Sequence, residues 1–259
     1  MQSTALPRGG IYVQTSAGAL QFGLPPETIK DAMALGLPVP TTYFAPTSLF
    51  DKERGLSVAE CEFPAYYNYY VLKRKIRLVV DDASIEARIR TVFEESLFGP
   101  GALHPSELTF DFPAALRPDV ARERDHFRAR ADGARVDVDT LVDFVRLSEH
   151  PRLALGHGVF VERDPGGETL VVDGDEVIRI PARVGLPERT TLSTAPPMPF
   201  EPPIFGVTVL GGSHGFDPHG KTTGFVIWIG RRGVLVDPPV DATETLRAQG
   251  VPPKLIDSV

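Results

Sequence analysis

The sequence predicts an α+β fold, on three observations. Short runs of alternating apolar and polar residues, broken by glycine and aspartate turns, recur near the amino terminus, over residues 158–180 and again after residue 204. Between them lie segments whose apolar residues repeat at helical spacing, most clearly Ile85, Ile89, Val92 and Phe93. Pro196, Pro197, Pro199, Pro202 and Pro203 then crowd a stretch that favours polyproline II and cannot pair as a central strand. The expected organisation is a mixed α+β domain with antiparallel strands over 1–186, a proline-rich linker over 187–203, and a second domain from 204 to 259.

Taken in order, Ile11–Thr15 and Ala19–Phe22 flank Ser16-Ala-Gly18 and read as a hairpin. Pro25-Pro26-Glu27 opens a helix, with Glu27 at the positive end of its dipole, Ile29 and Met33 on one face and Gly36 as the stop. Leu37-Pro-Val-Pro40 is extended and leads into a strand over Thr42–Ala45. Val58–Phe63, Tyr66–Val71 and Ile76–Val80 read as strands, the last from the alternation of Ile76, Leu78 and Val80 with Arg77 and Val79. Ser84 is placed to cap the next helix, which ends near Gly99-Pro-Gly101. A charged helix follows over Asp119–Ala131, and a shorter one over Thr140–Leu147 carries Leu141, Phe144 and Val145. Gly158–Val161, Thr169–Val172 and Val177–Ile180, separated by Asp164-Pro-Gly-Gly167 and Asp173-Gly174, form a β-meander.

A chain of 259 residues with 42% hydrophobic content can bury a substantial core. Its formal net charge of −7 argues against a general nucleic-acid or membrane-surface binder, because phosphates must be met by surplus Lys and Arg. A small-molecule or protein partner is favoured. One cysteine, Cys61, excludes an internal disulfide framework and a four-cysteine zinc site. It fits a reducing compartment, and no run has the length of a membrane span, so the expected location is cytoplasmic.

The carboxy-terminal segment is the most patterned. Phe205–Gly211 puts Val207 and Val209 on one strand face and Thr208 and Leu210 on the other, then runs into Gly211-Gly-Ser-His-Gly215. Thr223–Ile229 is a second strand, Gly230-Arg-Arg-Gly233 a tight turn and Val234–Asp237 a third strand ended by Pro238 and Pro239. Asp241 or Thr243 can cap a short helix through Leu246 and Ala248, Gly250 closes it, and Leu255–Val259 begins a fourth strand. This order resembles the amino-terminal quarter of the metallo-β-lactamase superfamily. Its glycine loop is most similar to the phosphodiesterase and tRNA-processing branch. The resemblance implies the opening of an αββα sandwich, truncated here, whose fourth strand would lead into a Thr-His-x-His-x-Asp-His loop that binds one or two metal ions, most often zinc. No such motif occurs in these residues.

In the first domain, Val13-Gln-Thr15, Phe22-Gly23, Pro26-Glu-Thr-Ile-Lys-Asp31 and Glu62-Phe-Pro-Ala65 are similar to the leader of large bacterial and protist proteins. Those proteins couple a metallo-β-lactamase-like domain to a cyclic-nucleotide-binding module, and the resemblance implies such a fused module. The implied function is the amino-terminal portion of a metal-dependent hydrolase acting on a phosphoester or other ester, inactive as this chain alone. The rival reading is a non-catalytic ligand-binding or protein-interaction module.

Five residues are candidates for a role beside substrate or metal. Ser213, His214, Asp217 and His219 share a glycine and proline loop that can bend two imidazoles and a carboxylate together. The resemblance places that loop at the active-site mouth, in contact with substrate rather than metal; otherwise it is a solvated turn. By the same resemblance Asp237 is the strand-end aspartate that braces the metal loop, a role that stands beside the plain one of turning the chain before Pro238. Tyr66–Tyr70 with Lys73-Arg-Lys75 could stack and neutralise a nucleic-acid strand, but aromatic residues also suit a strand surface, which the acidic total favours. Cys61 reads as buried, and His104, His126, His150 and His157 carry no partner pattern.

Overall fold

The computed structural model describes residues 1–52, 56–102, 113, 117–184 and 199–259. The chain is α+β, with antiparallel and mixed sheets. It divides into two compact units, Met1–Pro25 with Val39–Gly185, and Pro26–Pro38 with Leu186–Val259. Of the proline-rich linker expected over 187–203, residues 187–198 lie outside the described residues.

In the first unit, β1 (Gln2–Ala5), β2 (Ile11–Thr15) and β3 (Gly18–Phe22) form an antiparallel meander. The chain then enters the second unit, where α1 (Ile29–Ala34) lies, and returns for β4 (Thr42–Phe44), parallel to β3. After a small ribbon of β5 (Phe50–Asp51) and β6 (Leu56–Ser57) come α2 (Glu62–Tyr66), a π-helical turn over Tyr67–Val71, and β7 (Ile76–Val80), parallel to β4. The helices α3 (Ala83–Phe98), α4 (Val120–Arg128) and α5 (Val138–Leu141) precede β8 (Val142–Arg146), which closes a six-stranded sheet of order β1-β2-β3-β4-β7-β8. A separate antiparallel sheet follows: β9 (Arg152–Gly156), β10 (Val159–Arg163), β11 (Thr169–Asp173) and β12 (Glu176–Ile180).

Period-two alternation directs the six-stranded sheet into two cores. Ile76, Leu78 and Val80 pack with Ile85, Ile89 and Phe93 of α3, while Val79 joins Val13, Leu20 and Phe22 against Val159, Val161 and Val171 of the second sheet. The sheet is therefore covered on both sides, the usual condition of parallel strands. This is why Val79 is buried although the alternation marks β7 as half-exposed.

Several local expectations fail, among them the strand over Val58–Phe63, where β6 has already ended at Ser57 and α2 begins at Glu62. The tyrosine run is helical, not a strand: Pro64 in the first turn of α2 cannot donate to a ladder, and Asn68 donates its side-chain amide to Pro64 O at 2.9 Å and Pro40 O at 3.2 Å. Tyr66 and Tyr70 consequently meet one turn apart, their rings tilted by 43° with centroids 4.8 Å apart, and do not alternate between core and solvent. The helix expected over Thr140–Leu147 ends at Leu141, because the following residues pair in parallel with β7 from Ile76↔Val142 to Val80↔Arg146. Asp82 caps α3 by accepting from Ser84 N and Ile85 N, so Ser84 is not the cap, and Val92 lies 45% exposed off the buried stripe. Glu27 stands outside α1 with φ 61°, not in its first turn.

In the second unit β13 (Phe205–Gly211), β14 (Gly224–Ile229), β15 (Arg232–Val236) and β16 (Ile256–Ser258) form one sheet in that order. Gly230 and Arg231 both take positive φ, which joins β14 to β15 by a two-residue hairpin turn. α6 (Ala242–Ala248) covers one face, where Leu210, Val226, Trp228 and Leu235 pack with Ala242, Leu246 and Val251. Trp228 donates its indole N–H to Thr208 Oγ1 at 2.8 Å, which lets the ring be fully buried.

The chain's single tryptophan lies in the second unit and all of its tyrosines in the first, so each unit carries its own optical signal. Phe93→Ala should lower the stability of the first unit by about 3–5 kcal/mol, the cost of an aromatic cavity, and Val92→Ala should stay within about 0.5 kcal/mol. Urea denaturation followed by tyrosine near-UV circular dichroism checks both.

Candidate active site

Because β13 and β15 each pair antiparallel with β14, they run parallel to each other, and β16 pairs parallel with β15. Their carboxyl ends therefore share one edge of the sheet. The 212–223 loop, Asp237 and Ser258 all emerge there, at the end of an open sheet where ligand sites concentrate.

Three backbone segments approach closely at this edge because they lack side chains. A Cβ on Gly211 would overlap Thr222 O, one on Gly224 would overlap Asp237 O, and one on Gly220 would overlap both Ser213 and Asp217. The loop closes on itself through Ser213 N to Lys221 O at 2.9 Å and Thr223 N to Ser213 O at 2.7 Å. Lys221 pairs with Asp241 and donates to Thr245 Oγ1 at 3.2 Å, tying the loop to α6; Asp241 makes no side-chain cap bond to that helix.

The structure brings Ser213 and Asp217 together and leaves both histidine side chains exposed. Asp217 accepts from the Ser213 hydroxyl and from His219 N, the latter at 3.0 Å, and the Ser213 bond is the leading cause that holds its carboxyl below the usual carboxylate range. His214 Nδ1 accepts from Phe216 N at 3.2 Å. These bonds engage both Asp217 oxygens and one His214 nitrogen within the loop. Among the described residues, no group of three or more His, Cys, Asp or Glu side chains is placed to hold a metal ion. Asp237 is exposed at the edge with φ 45°, a left-handed conformation that aspartate tolerates better than most residues but still at a cost.

Sequence reasoning missed a second layer under this loop. Lys30, with no exposed side-chain surface, donates to Thr222 Oγ1 at 2.8 Å, to Gly220 O at 3.2 Å and to Glu27 Oε1 at 3.1 Å. Nothing local in Pro26-Glu-Thr-Ile-Lys-Asp31 signals this. A lysine on a short helix with flanking acids reads as solvated.

Two curated proteins similar to this chain are phosphodiesterases. It is 28% identical over 388 residues to the cGMP-dependent 3',5'-cGMP phosphodiesterase A of Dictyostelium discoideum, an alignment that covers 99% of this chain and 44% of that protein. It is also 28% identical over 317 residues to the cAMP/cGMP-dependent 3',5'-cAMP/cGMP phosphodiesterase B of the same organism, covering 97% of this chain and 28% of the relative. The chain thus spans less than half the length of the curated relatives it matches. No family model matches it, and no solved structure does.

Gly220→Ala should cost the second unit about 1–3 kcal/mol, because the added methyl overlaps Ser213 and Asp217, whereas Gly212→Ala, with open space around its Cβ position, should stay within about 0.5 kcal/mol. Trp228 fluorescence in urea reads both. Asp217 is ionised in the folded loop at a pH where the unfolded chain has already taken up its proton. Its contribution is therefore present above the ordinary carboxylate pKa of about 3.9 and is lost as pH falls through the lowered folded value. Asp217→Asn should flatten that acid-side loss in the same Trp228 signal.

Proposed function

We propose that this chain is the amino-terminal part of a cyclic-nucleotide phosphodiesterase whose hydrolase domain has metallo-β-lactamase architecture. The observation that carries the reading is similarity to a phosphodiesterase across 99% of the chain. The meeting of the glycine loop and Asp237 at one sheet edge supports it, since the resemblance places that loop at the mouth of the active site and gives Asp237 the role of bracing the metal loop. The outer face of the same sheet gives further support. Phe205, Val207, Val209 and Ile229, between 58% and 77% exposed, lie on the side opposite α6. Sequestering such side chains contributes about 1.5–3 kcal/mol each, and a second sheet laid on this face would complete a sandwich.

On this reading zinc or another divalent ion is held by residues of the longer polypeptide, and this chain alone is inactive. Its own residues border the substrate. The exposed His214 and His219 can donate to phosphate oxygens, and Asp237 can orient a neighbouring imidazole. In the overall reaction water oxygen bonds to phosphorus and one ester P–O bond breaks, so that a cyclic phosphodiester becomes a monoester and a free hydroxyl. That the two relatives are cyclic-nucleotide-dependent phosphodiesterases supports a fused cyclic-nucleotide-binding module. The deeply buried Cys61, whose thiol burial pushes well up, suits a reducing cytoplasmic setting.

The 259-residue chain should hydrolyse neither cGMP nor cAMP above the uncatalysed rate, while the longer natural polypeptide that carries it should hydrolyse at least one, with loss on chelation. A nucleotide-release assay on both proteins checks this. Chelator-sensitive hydrolysis by the short chain would sink the proposal.

A further inference from the structure

We infer that Lys30 is a positioning residue for the 212–223 loop, and that segment 26–38 is thereby a working part of the hydrolase site. The inference rests on the reading that this loop borders the substrate.

The Lys30 ammonium has three hydrogens and three acceptors: Glu27 Oε1, Thr222 Oγ1 and Gly220 O. Thr222 in turn donates its hydroxyl to the same Glu27 oxygen. The buried positive charge is paired with the Glu27 carboxylate. Two features show that tertiary contact, not local preference, builds it. α1 is six residues long and makes no side-chain N-cap bond, too short to hold itself in place. Glu27 accepts the left-handed conformation in order to present its carboxylate.

Gly220 transmits the position of Lys30. Its carbonyl is held by the ammonium, and its α-carbon lies against Ser213 and Asp217 with no room for a Cβ. Asp217 in turn accepts from His219 N, and Asp217 N donates to His214 O at 3.1 Å. A shift of Lys30 must therefore move the segment bearing both exposed imidazoles.

Lys30→Met keeps the length of the side chain and removes the ammonium. In the 259-residue chain it should speed amide hydrogen exchange over the 212–223 loop by about tenfold or more, the scale set by a lost charge-assisted hydrogen bond, and leave β14 unchanged. Unchanged loop exchange overturns the inference whatever the activity. In the longer natural polypeptide, KM for the cyclic nucleotide should rise by a similar factor. Lys30→Met combined with Glu27→Gln removes the unanswered charge and should restore the urea midpoint read by Trp228, while KM stays high. Recovery of KM together with the midpoint would show a merely structural lysine. If the wild-type polypeptide hydrolyses no cyclic nucleotide, the functional reading fails by itself, and the exchange measurement still decides the role of Lys30.

Discussion

The second unit depends on how closely backbone can approach backbone at one edge of its sheet. Gly211, Gly220 and Gly224 leave out the atoms that would hold the end of β13, the start of β14 and the turn at Asp237 apart. Hydrogen bonds then lock the gap: Ser213 with Lys221 and Thr223, Asp217 with Ser213 and His219. The candidate site is thus defined as much by missing side chains as by present ones. Its polar groups are largely occupied in shaping the loop, leaving the imidazoles and Asp237 at the surface.

The two units use their sheets differently. In the first, the alternation in β7 sends Leu78 and Val80 toward helices and Val79 toward a second sheet, so both faces are closed by residues of the unit itself. In the second, among the described residues, the face bearing Val226 and Trp228 is closed, by α6 and Phe200. A fully buried tryptophan on one side and a row of exposed valines and phenylalanine on the other make an asymmetric layer.

What was legible in the sequence was what local chemistry decides. The strands from Phe205 to Val236 follow from alternation, the β14–β15 turn from Gly230, which takes positive φ, and α3 from its stripe. The tyrosine run misled because aromatic β preference is weaker than the consequences of one proline and one buried asparagine. Residues 142–146 misled because Leu141, Phe144 and Val145 fit a helical spacing as well as a strand, and the parallel partner is far off in sequence. At the site, the clustering of Ser213, His214, Asp217 and His219 was legible from spacing. That Asp217 binds its own loop was not, nor was Lys30, because both depend on which atoms come within three ångströms after folding.

The same lysine sets a schedule for folding during synthesis. Lys30 and Gly220 lie 190 residues apart, and at roughly 5–20 residues per second the ribosome needs about 10–40 s to deliver the second after the first. During that interval the first unit gains β4 to β12 while α1, which sits between β3 and β4 in the chain, still lacks its partner. The nascent protein must therefore leave this segment undocked while neighbouring residues condense. A premature local structure there, even a more stable helix, would be a kinetic obstacle, which gives a physical use to the weak capping and short length of α1.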